Sequence, residues 1–502
     1  MITTKAVHLT FVGHQTWHIS DGRNSVLLDP ILCRAFGPTG VPFEVWPPRD
    51  VDTTAMPDLA ALILSHEHLD HFHLPSLDRL ARTIPLYTGM TVPVAVVEAI
   101  EALGFTVHRR DFTEPLIIGD LEITLYPAGA KTMFWESRVA QPLIRLVGED
   151  GGGVFIGVDA DLSDTYLARL EDGAVPVPDL AIVSNNSQSV PYGAPSTDTN
   201  LLPGLDGPHQ RSTGLHVLHS LLLGYLAPLT GVRQVALCGN GFTAPLAPHG
   251  PFLYGDHRAL AEHANALQHL FIVHGPRPGD ILTLTSDGEV TCSTASWITP
   301  DLEAETVQLD KLATFLAAGP QQVAPVATTA ALDPAVWAEA AEVLAAELPC
   351  LALALLTTRT GTLAVGMNEY LAGEPLGSER LALRLLDPPG QPGEAEVWMW
   401  DVTGPAFIRQ TEQTSREQDM ARVPFGIELF HQDMIALLQG RAQIWDIMGG
   451  SSQGWHVGDP LDSPVYALLA AYGEHQRPDL AAACYARSLA ELGVTTTTRA
   501  VA

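Results

Sequence analysis

Positively charged residues are scarce in this chain of 502 residues. Lysine and arginine together number 27 against 57 aspartates and glutamates, which gives a formal net charge of −30. A surplus of this size repels polyanions. We therefore expect no nucleic acid among the partners.

Cysteines and long apolar runs are also few. The five cysteines are scattered without paired spacing, which argues against a disulfide framework. No apolar run reaches the roughly 20 residues that a membrane span needs. The first residues lead directly into a predicted strand, without the apolar segment of a signal peptide. These features predict a cytoplasmic protein without a membrane span, and they leave its oligomeric state open.

A dense group of metal-binding residue types stands out against this background. Residues 65–71 read Ser-His-Glu-His-Leu-Asp-His, directly after the apolar run 59–64, which predicts a buried strand. Imidazole nitrogens and carboxylate oxygens are ligands for zinc, iron and manganese. A turn that leaves a strand can aim alternate side chains at one ion and the next pair at a neighbouring ion. The pattern predicts a metal site.

This stretch resembles the His-x-His-x-Asp-His motif of the metallo-β-lactamase superfamily. Residues 9–17, 26–30 and 71–77 are similar to the branch that contains L-ascorbate-6-phosphate lactonases, N-acyl-phosphatidylethanolamine phospholipases and the related domain of CMP-sialic acid hydroxylases. The resemblance fades after roughly residue 280. It implies an α/β fold, the αββα sandwich, in which helices cover two sheets and the metals lie at one edge.

The resemblance also implies a metal-binding role for each residue of the motif. His66 and His68 would bind a first ion, and Asp70 and His71 a second. Asp159, which ends a predicted strand after a glycine-rich hairpin, would bridge the two; an ordinary strand-ending aspartate is the alternative. Zinc is the expected metal, with iron or manganese as alternatives.

Two residues are candidates for catalysis. Asp70 would hold the attacking water together with a metal. His14 precedes the second predicted strand, in a region that lies near the metals in relatives, so it would position substrate or support a carboxylate. A structural histidine is the alternative for His14.

The chain departs from the superfamily pattern after the strand predicted at 121–126. A third histidine is expected there, but the sequence has Ala130. Glu136 could supply oxygen instead, as a glutamate does in an oxygen-activating branch, or it could be an exposed loop acid.

A second departure falls where the last histidine is expected. Cys238 ends the strand predicted there. A thiolate is a good zinc ligand, so Cys238 is a candidate, with a buried apolar role as the alternative. His249, His257 and His274 follow, and the spacing does not choose among them.

The length predicts more than one domain. We expect a metallo-β-lactamase-like domain at 1–295, a linker with a helical piece at 296–330, and a C-terminal α+β domain of unknown role at 331–502. A fragment that ends near Gly319 should fold alone. The polar run 192–214 is expected to form a loop over the site.

The C-terminal residues lack a specific motif. Apolar runs predict strands at 350–356, 381–386, 396–400 and 443–447, and helices at 428–439, 464–472 and 478–492. A helix, a Gly-Arg turn and a strand weakly resemble the sterol-carrier-protein-like fold. Aromatic residues could line a cavity for an apolar ligand such as a lipid, or form the core; they are Trp398, Trp400, Phe430, Trp445 and Trp455.

Three functions fit these observations. The first is a metal-dependent hydrolase that uses a metal-bound hydroxide on an ester, lactone, amide or phosphodiester of a small molecule. The second is a di-iron oxygen-activating enzyme. The third is a degenerate protein that binds a metal or ligand without turnover. The motif and Asp159 favour the hydrolase.

Overall fold

The computed structural model describes most of the chain. The described residues are 5–37, 42–132, 137–149, 151–185, 198–201, 218, 221–239, 242–243, 256–268, 270–317, 326–329, 332–333, 337–369, 373–448, 452–458, 462–474 and 477–494.

The described strands, in chain order, are β1 Ala6–Gly13, β2 Thr16–Ser20, β3 Ser25–Leu28, β4 Ala35–Phe36, β5 Phe43–Val45, β6 Arg49–Val51, β7 Ala61–Leu64, β8 Leu86–Gly89, β9 Val107–Arg110, β10 Pro115–Ile118, β11 Leu121–Pro127, β12 Ala140–Leu146, β13 Val154–Ile156, β14 Leu180–Ser184, β15 Asp198–Asn200, β16 Gln234–Cys238, β17 Phe242–Thr243, β18 Ile272–His274, β19 Asp280–Thr285, β20 Val290–Thr294, β21 Ile298–Pro300, β22 Glu379–Leu386, β23 Ala395–Asp401, β24 Ala406–Arg409, β25 Phe425–Phe430 and β26 Gln453–His456.

The described helices are α1 Leu74–Asp78, α2 Val94–Ala102, α3 Asp164–Glu171, α4 His257–Leu267, α5 Leu302–Ala317, α6 Trp337–Leu355, α7 Arg359–Gly366, α8 Arg416–Arg422, α9 His431–Leu438, α10 Ile444–Met448, α11 Pro464–Leu468 and α12 Pro478–Glu491, with π-helical turns at Leu221–Tyr225 and Leu469–Glu474.

Two large sheets form the N-terminal part. The first has the strand order β20-β19-β1-β2-β3-β7-β8-β9, and the second has the order β10-β11-β12-β13-β14-β16-β18. Strands buried on both faces carry continuous apolar runs, and their alternate residues serve two cores. Ile63 and Ile182 belong to the core that contains residues of both sheets, whereas Leu62 and Val183 belong to outer cores with α2 and α4. The predicted αββα sandwich is therefore present.

The C-terminal part has a sheet of its own, with the strand order β15-β26-β25-β22-β23-β24. Its main core includes residues from α6, α9 and α11. Trp400 and Trp455 are fully buried, and their indole N–H groups donate to Ala352 O and Val423 O. These two aromatic side chains are core residues.

A helix and a strand pairing are among the contacts that join the N-terminal and C-terminal parts. Leu489 of α12 is buried in one core with Phe72 and Phe105, so the last helix covers the outer face of the first sheet beside α2. Strand β15 pairs in parallel with β26, with Asp198 opposite Gly454. Residues 198–200, which we predicted to lie in a loop over the site, therefore belong to the C-terminal sheet. The remainder of 192–214, apart from Leu201, lies outside the described residues.

Three C-terminal predictions are wrong. Residues 350–355 continue α6 rather than forming a strand, because a run of leucine and alanine without β-branched residues favours helix. Residues 444–447 belong to α10 rather than to a strand, so the resemblance to the sterol-carrier fold loses the strand on which it depended. Residues 428–430 end β25, and the helix begins at His431.

Among the described residues, no single helix has both the length and the apolar composition of a membrane span. Helices α6 and α7 meet that criterion only as a pair, and they are bent by 77° where they join.

Candidate metal centre

The motif follows β7 at the carboxyl end of the strand, as the sequence predicted. His66 and His71 are fully buried, and their ring centroids lie 4.1 Å apart. The ring of His68 lies 4.4 Å from that of His66. Residues 66–71 therefore fold back on themselves, and their side chains converge inside the protein.

Asp29 orients two of these histidines. It follows β3, which pairs in parallel with β7, so its carboxylate meets the start of the motif. Its oxygens accept hydrogen bonds from Ser65 N (2.7 Å) and Ser65 Oγ (2.6 Å), and one of them lies 2.8 Å from His71 Nδ1. A carboxylate that holds the far nitrogen of a histidine fixes the tautomer of a metal ligand.

His66 has a nitrogen ready for a metal. Its Nδ1 lies 3.0 Å from Ser65 Oγ, whose proton goes to Asp29, so His66 Nδ1 is the donor and Nε2 keeps its lone pair. Nε2 is buried and has no hydrogen-bond partner. Burial, together with His71 and His68, lowers the pKa of His66 well below its ordinary value. The imidazole is thus neutral, which is the form that binds metals.

His71 faces two carboxylates with its other nitrogen. His71 Nε2 lies 2.7 Å from Asp159 Oδ2 and 3.5 Å from Asp70 Oδ2. Burial alone would lower the pKa of His71, but Asp70, Asp159 and Asp29 outweigh it and raise the pKa well above the ordinary value. These carboxylates require positive charge between themselves and the imidazole, and a proton or a metal ion supplies it. The donors present therefore fit a divalent metal.

His14 joins this cluster from the turn between β1 and β2. Its Nε2 lies 2.7 Å from Asp70 Oδ2. Burial would raise the pKa of Asp70, but His71 and His14 outweigh burial and lower it. The backbone of His14 has a positive φ of 53°, a conformation that is uncommon outside glycine and frequent at functional sites. The structure thus places His14 in direct contact with Asp70.

Two groups of side chains have metal-ligating geometry in the described part of the chain. They are His14, Asp70 and His71, and His66, His71 and Asp159, with the ligand atoms of each group within 4.8 Å of one another. His71 belongs to both groups. His68 belongs to neither, and its ring lies 4.9 Å from that of Trp445 in α10.

Asp159 is held by Gln15. Gln15 Nε2 donates to Asp159 Oδ1 and to Ser184 Oγ, both at 2.7 Å. The Cys238 thiol donates to Gln15 Oε1 at 3.0 Å, which turns the amide nitrogen toward Asp159. Burial and the nearby Asp159 raise the pKa of Cys238 well above its ordinary value. Cys238 therefore contacts the centre through Gln15 and is not a member of either group.

The other candidate ligands lie elsewhere. Ala130 is exposed, and its backbone N donates to Asp164 at the start of α3. His257 begins α4, and His274 Nε2 lies 2.8 Å from Gln234 Oε1; neither belongs to the two groups. Glu136 and His249 lie outside the described residues.

Sequence reasoning missed the supporting residues Asp29, Gln15 and Ser65. Asp29 could have been found from the sequence. It follows one strand as the motif follows another, and where two such strands pair in parallel, the residues that follow them lie at the same edge of the sheet. Gln15 had none, since its role depends on the β1–β2 turn bringing it to β14 and β16. A buried ion pair between Glu67, inside the motif, and Arg138 was also not foreseen.

A match to a known protein family agrees with this fold. Residues 8–137 match the family described as the beta-lactamase superfamily domain. No protein of curated function shows significant sequence similarity to the chain.

Solved structures that resemble the chain are distant in sequence. A metallo hydrolase from the archaeon Ignicoccus hospitalis is 14% identical over 55% of this chain and 98% of its own, with a TM-score of 0.35. An isothiocyanate hydrolase from Delia radicum gut bacteria is 16% identical over 55% and 98%, with a TM-score of 0.34. The diiron β-hydroxylase CmlA from Streptomyces venezuelae is 16% identical over 56% and 54%, with a TM-score of 0.31. The family match at residues 8–137 and the strand order of the two sheets agree, and the N-terminal part has the metallo-β-lactamase fold.

Proposed function

We propose that the protein is a metal-dependent hydrolase that acts on a small molecule. The observation that carries this proposal is the buried cluster in which His71 is shared between Asp70 and Asp159. Imidazole and carboxylate donors of this kind suit zinc, and they also suit iron and manganese. When bound, such an ion supplies acidity to water and polarises the oxygen of the bond under attack.

The residues of the chain would divide the work between them. Asp70 is the least buried carboxylate of the cluster, with 15% of its side chain exposed, so it is placed to accept a hydrogen bond from water that enters the site. His14 donates to the same carboxylate and holds it in position. Asp29 holds His71 through its Nδ1. Gln15 holds Asp159 through its Oδ1.

We expect one tightly held ion per chain. His71 Nδ1 is occupied by Asp29, so only Nε2 can bind a metal, and both groups need it. Ala130 stands where the superfamily has its third histidine, and this weakens the binding of a second ion. Elemental analysis of the purified and dialysed protein measures this, and two fully retained ions would contradict it.

Asp70→Ala tests the reaction. Hydrolysis of p-nitrophenyl acetate, a δ-lactone or bis(p-nitrophenyl) phosphate should be lost on chelation and restored by zinc. In Asp70→Ala it should fall by roughly three orders of magnitude, because about 4 kcal/mol of transition-state stabilisation is removed. Asp78→Ala, an exposed aspartate at the end of α1, is the matched control and should keep its activity.

Two results would lead to another function. Iron content together with oxygen consumption would support the di-iron enzyme. Absence of any retained metal would remove catalysis and leave a ligand-binding protein. Near-normal turnover in Asp70→Ala would overturn the proposed mechanism.

A further inference from the structure

Asn185 is a buried amide without a partner. Its side chain is fully buried, and neither Oδ1 nor Nδ2 has a hydrogen-bond partner. Among the described asparagines and glutamines, Asn185 alone has both amide atoms in this state. An amide that is removed from water without a new partner destabilises the fold, so native proteins rarely keep one unless it meets a ligand or water.

Its position ties this amide to the metal centre. Asn185 directly follows β14, and its backbone N donates to Cys238 O at 2.6 Å. The preceding residue, Ser184, accepts from Gln15, which also holds Asp159. Gly157, two residues before Asp159, donates its backbone N–H to Ile182 O of β14. Asn185 and Asp159 thus leave neighbouring parallel strands at the same edge of the second sheet.

We propose that Asn185 binds the carbonyl oxygen of an acyl substrate, an ester, lactone or amide. This inference rests on the proposed hydrolase function and names its substrate class. A carboxamide N–H is a neutral donor suited to a carbonyl oxygen that gains negative charge during attack. In the reaction, water forms the new C–O bond, the C–O or C–N bond to the leaving group breaks, and a carboxylic acid and an alcohol or amine result.

The charges at the site favour an acyl compound over a phosphodiester. Asp29, Asp70 and Asp159 are carboxylates, and the single divalent ion that we expect offsets only two of their three negative charges, so an anionic substrate still meets an excess of negative charge. Arg138, the cation beside the motif, is bound to Glu67. An uncharged carbonyl group fits this environment better than a phosphate.

Melting temperatures of full-length variants test whether the amide is unpartnered. Asn185→Ala should change the melting temperature little, and Asn185→Val, which fills the space with apolar atoms, should raise it. Gln141→Ala is the matched control, because the Gln141 amide is equally buried but donates to Gly157 O and accepts from Ser163 N. That variant should melt roughly 5 °C lower or more. A comparable loss in both asparagine variants would overturn the inference.

Kinetics test the role in catalysis. Wild-type, zinc-loaded protein should hydrolyse p-nitrophenyl acetate and δ-valerolactone at least about tenfold faster than bis(p-nitrophenyl) phosphate. Asn185→Ala should lower kcat on the acyl substrates about 100-fold with little change in KM, which is the effect of removing one donor to a developing oxyanion. Asn265→Ala removes an amide paired with the Val273 backbone and should leave kcat unchanged.

The outcomes separate the two proposals. Wild-type protein that hydrolyses none of the three compounds with added metal would overturn the proposed function, and the inference with it. A normal kcat in Asn185→Ala, or preference of the wild type for the phosphodiester, would overturn the inference and leave the hydrolase standing.

Discussion

Both parts of the molecule bury charged side chains, and they do so differently. In the C-terminal part, Arg384 is buried against Asp419 and Glu428, with Arg384 Nε 2.8 Å from Glu428 Oε2. In the N-terminal part, the buried Asp29 and Asp159 face histidines, and no lysine or arginine forms an ion pair with them among the described residues. A buried carboxylate that is paired with a fixed arginine needs no further positive charge. Buried carboxylates that face imidazoles without a fixed cation need a metal or proton, so the cluster around His71 indicates a site, whereas the buried pairs Arg384–Glu428 and Arg138–Glu67 do not.

Of the changes that test this comparison, removal of the C-terminal part should have the largest effect on the stability of the N-terminal part. A fragment that ends at Gly319 lacks Leu489 and Tyr485, which pack in one core with Phe72. We expect the fragment to aggregate or to melt at least roughly 10 °C lower, because buried apolar surface becomes exposed. Solubility, melting temperature and metal content measure this. A monomeric fragment with normal stability would restore the independence that the sequence led us to expect.

Trp445→Ala should have an intermediate effect. The indole ring packs against His68, so the C-terminal part contacts the metal motif directly. Its loss should weaken zinc retention about tenfold in competition with a chelator, as is typical when support around a metal site is removed. Trp398→Ala removes a partly buried indole of β23 that is bonded to Glu396 and serves as the control. Equal zinc affinity in the two variants would show that the contact has no effect on the centre.

The smallest effect concerns Asp446, the next residue of α10. Burial raises its pKa to about 6, against lowering contributions from the Gln443 backbone N–H and from Arg487. The unfolded carboxyl ionises near its ordinary value of 3.8. The folded state therefore binds more protons between these values, and this residue reduces stability as pH rises through that window.

Asp446→Asn removes the titration but keeps an oxygen for the Gln443 N–H. Its unfolding free energy relative to the wild type should rise from pH 4 to pH 6 and then level off. Denaturant unfolding at a series of pH values measures the difference. A difference independent of pH would mean that the carboxyl is hydrated in the folded protein.

The motif could be predicted from sequence because its candidate ligands are close together along the chain. His66, Asp70 and His71 lie within one turn after one strand, so local spacing already brings them together. His14 was placed near the metals only through the resemblance, and its contact with Asp70 was not predicted. Asn185 gave no signal, since its lack of hydrogen-bond partners is visible only in the folded protein.

The C-terminal errors have a different cause. The run at 350–355 is apolar without clear periodicity, and periodicity alone does not separate a buried strand from a buried helix. Its leucines and alanines favour helix, and α6 buries Leu351, Ala352 and Leu355 against the sheet. The contact of α12 with α2 joins residues far apart in the chain, and no local pattern reports it.

The pairing of β15 with β26 has a consequence for how the chain acquires its structure during synthesis. Asp198 can pair with Gly454 only after the ribosome has added Gly454, when most of the protein has been made. Pairings between such distant segments form slowly, since the entropy of closing a long loop is lost before any contact stabilises the pair. The N-terminal sheets can form early, but residues 198–200 reach their native place only when the last sheet assembles, so a late step of folding joins a segment of the N-terminal part to the C-terminal sheet.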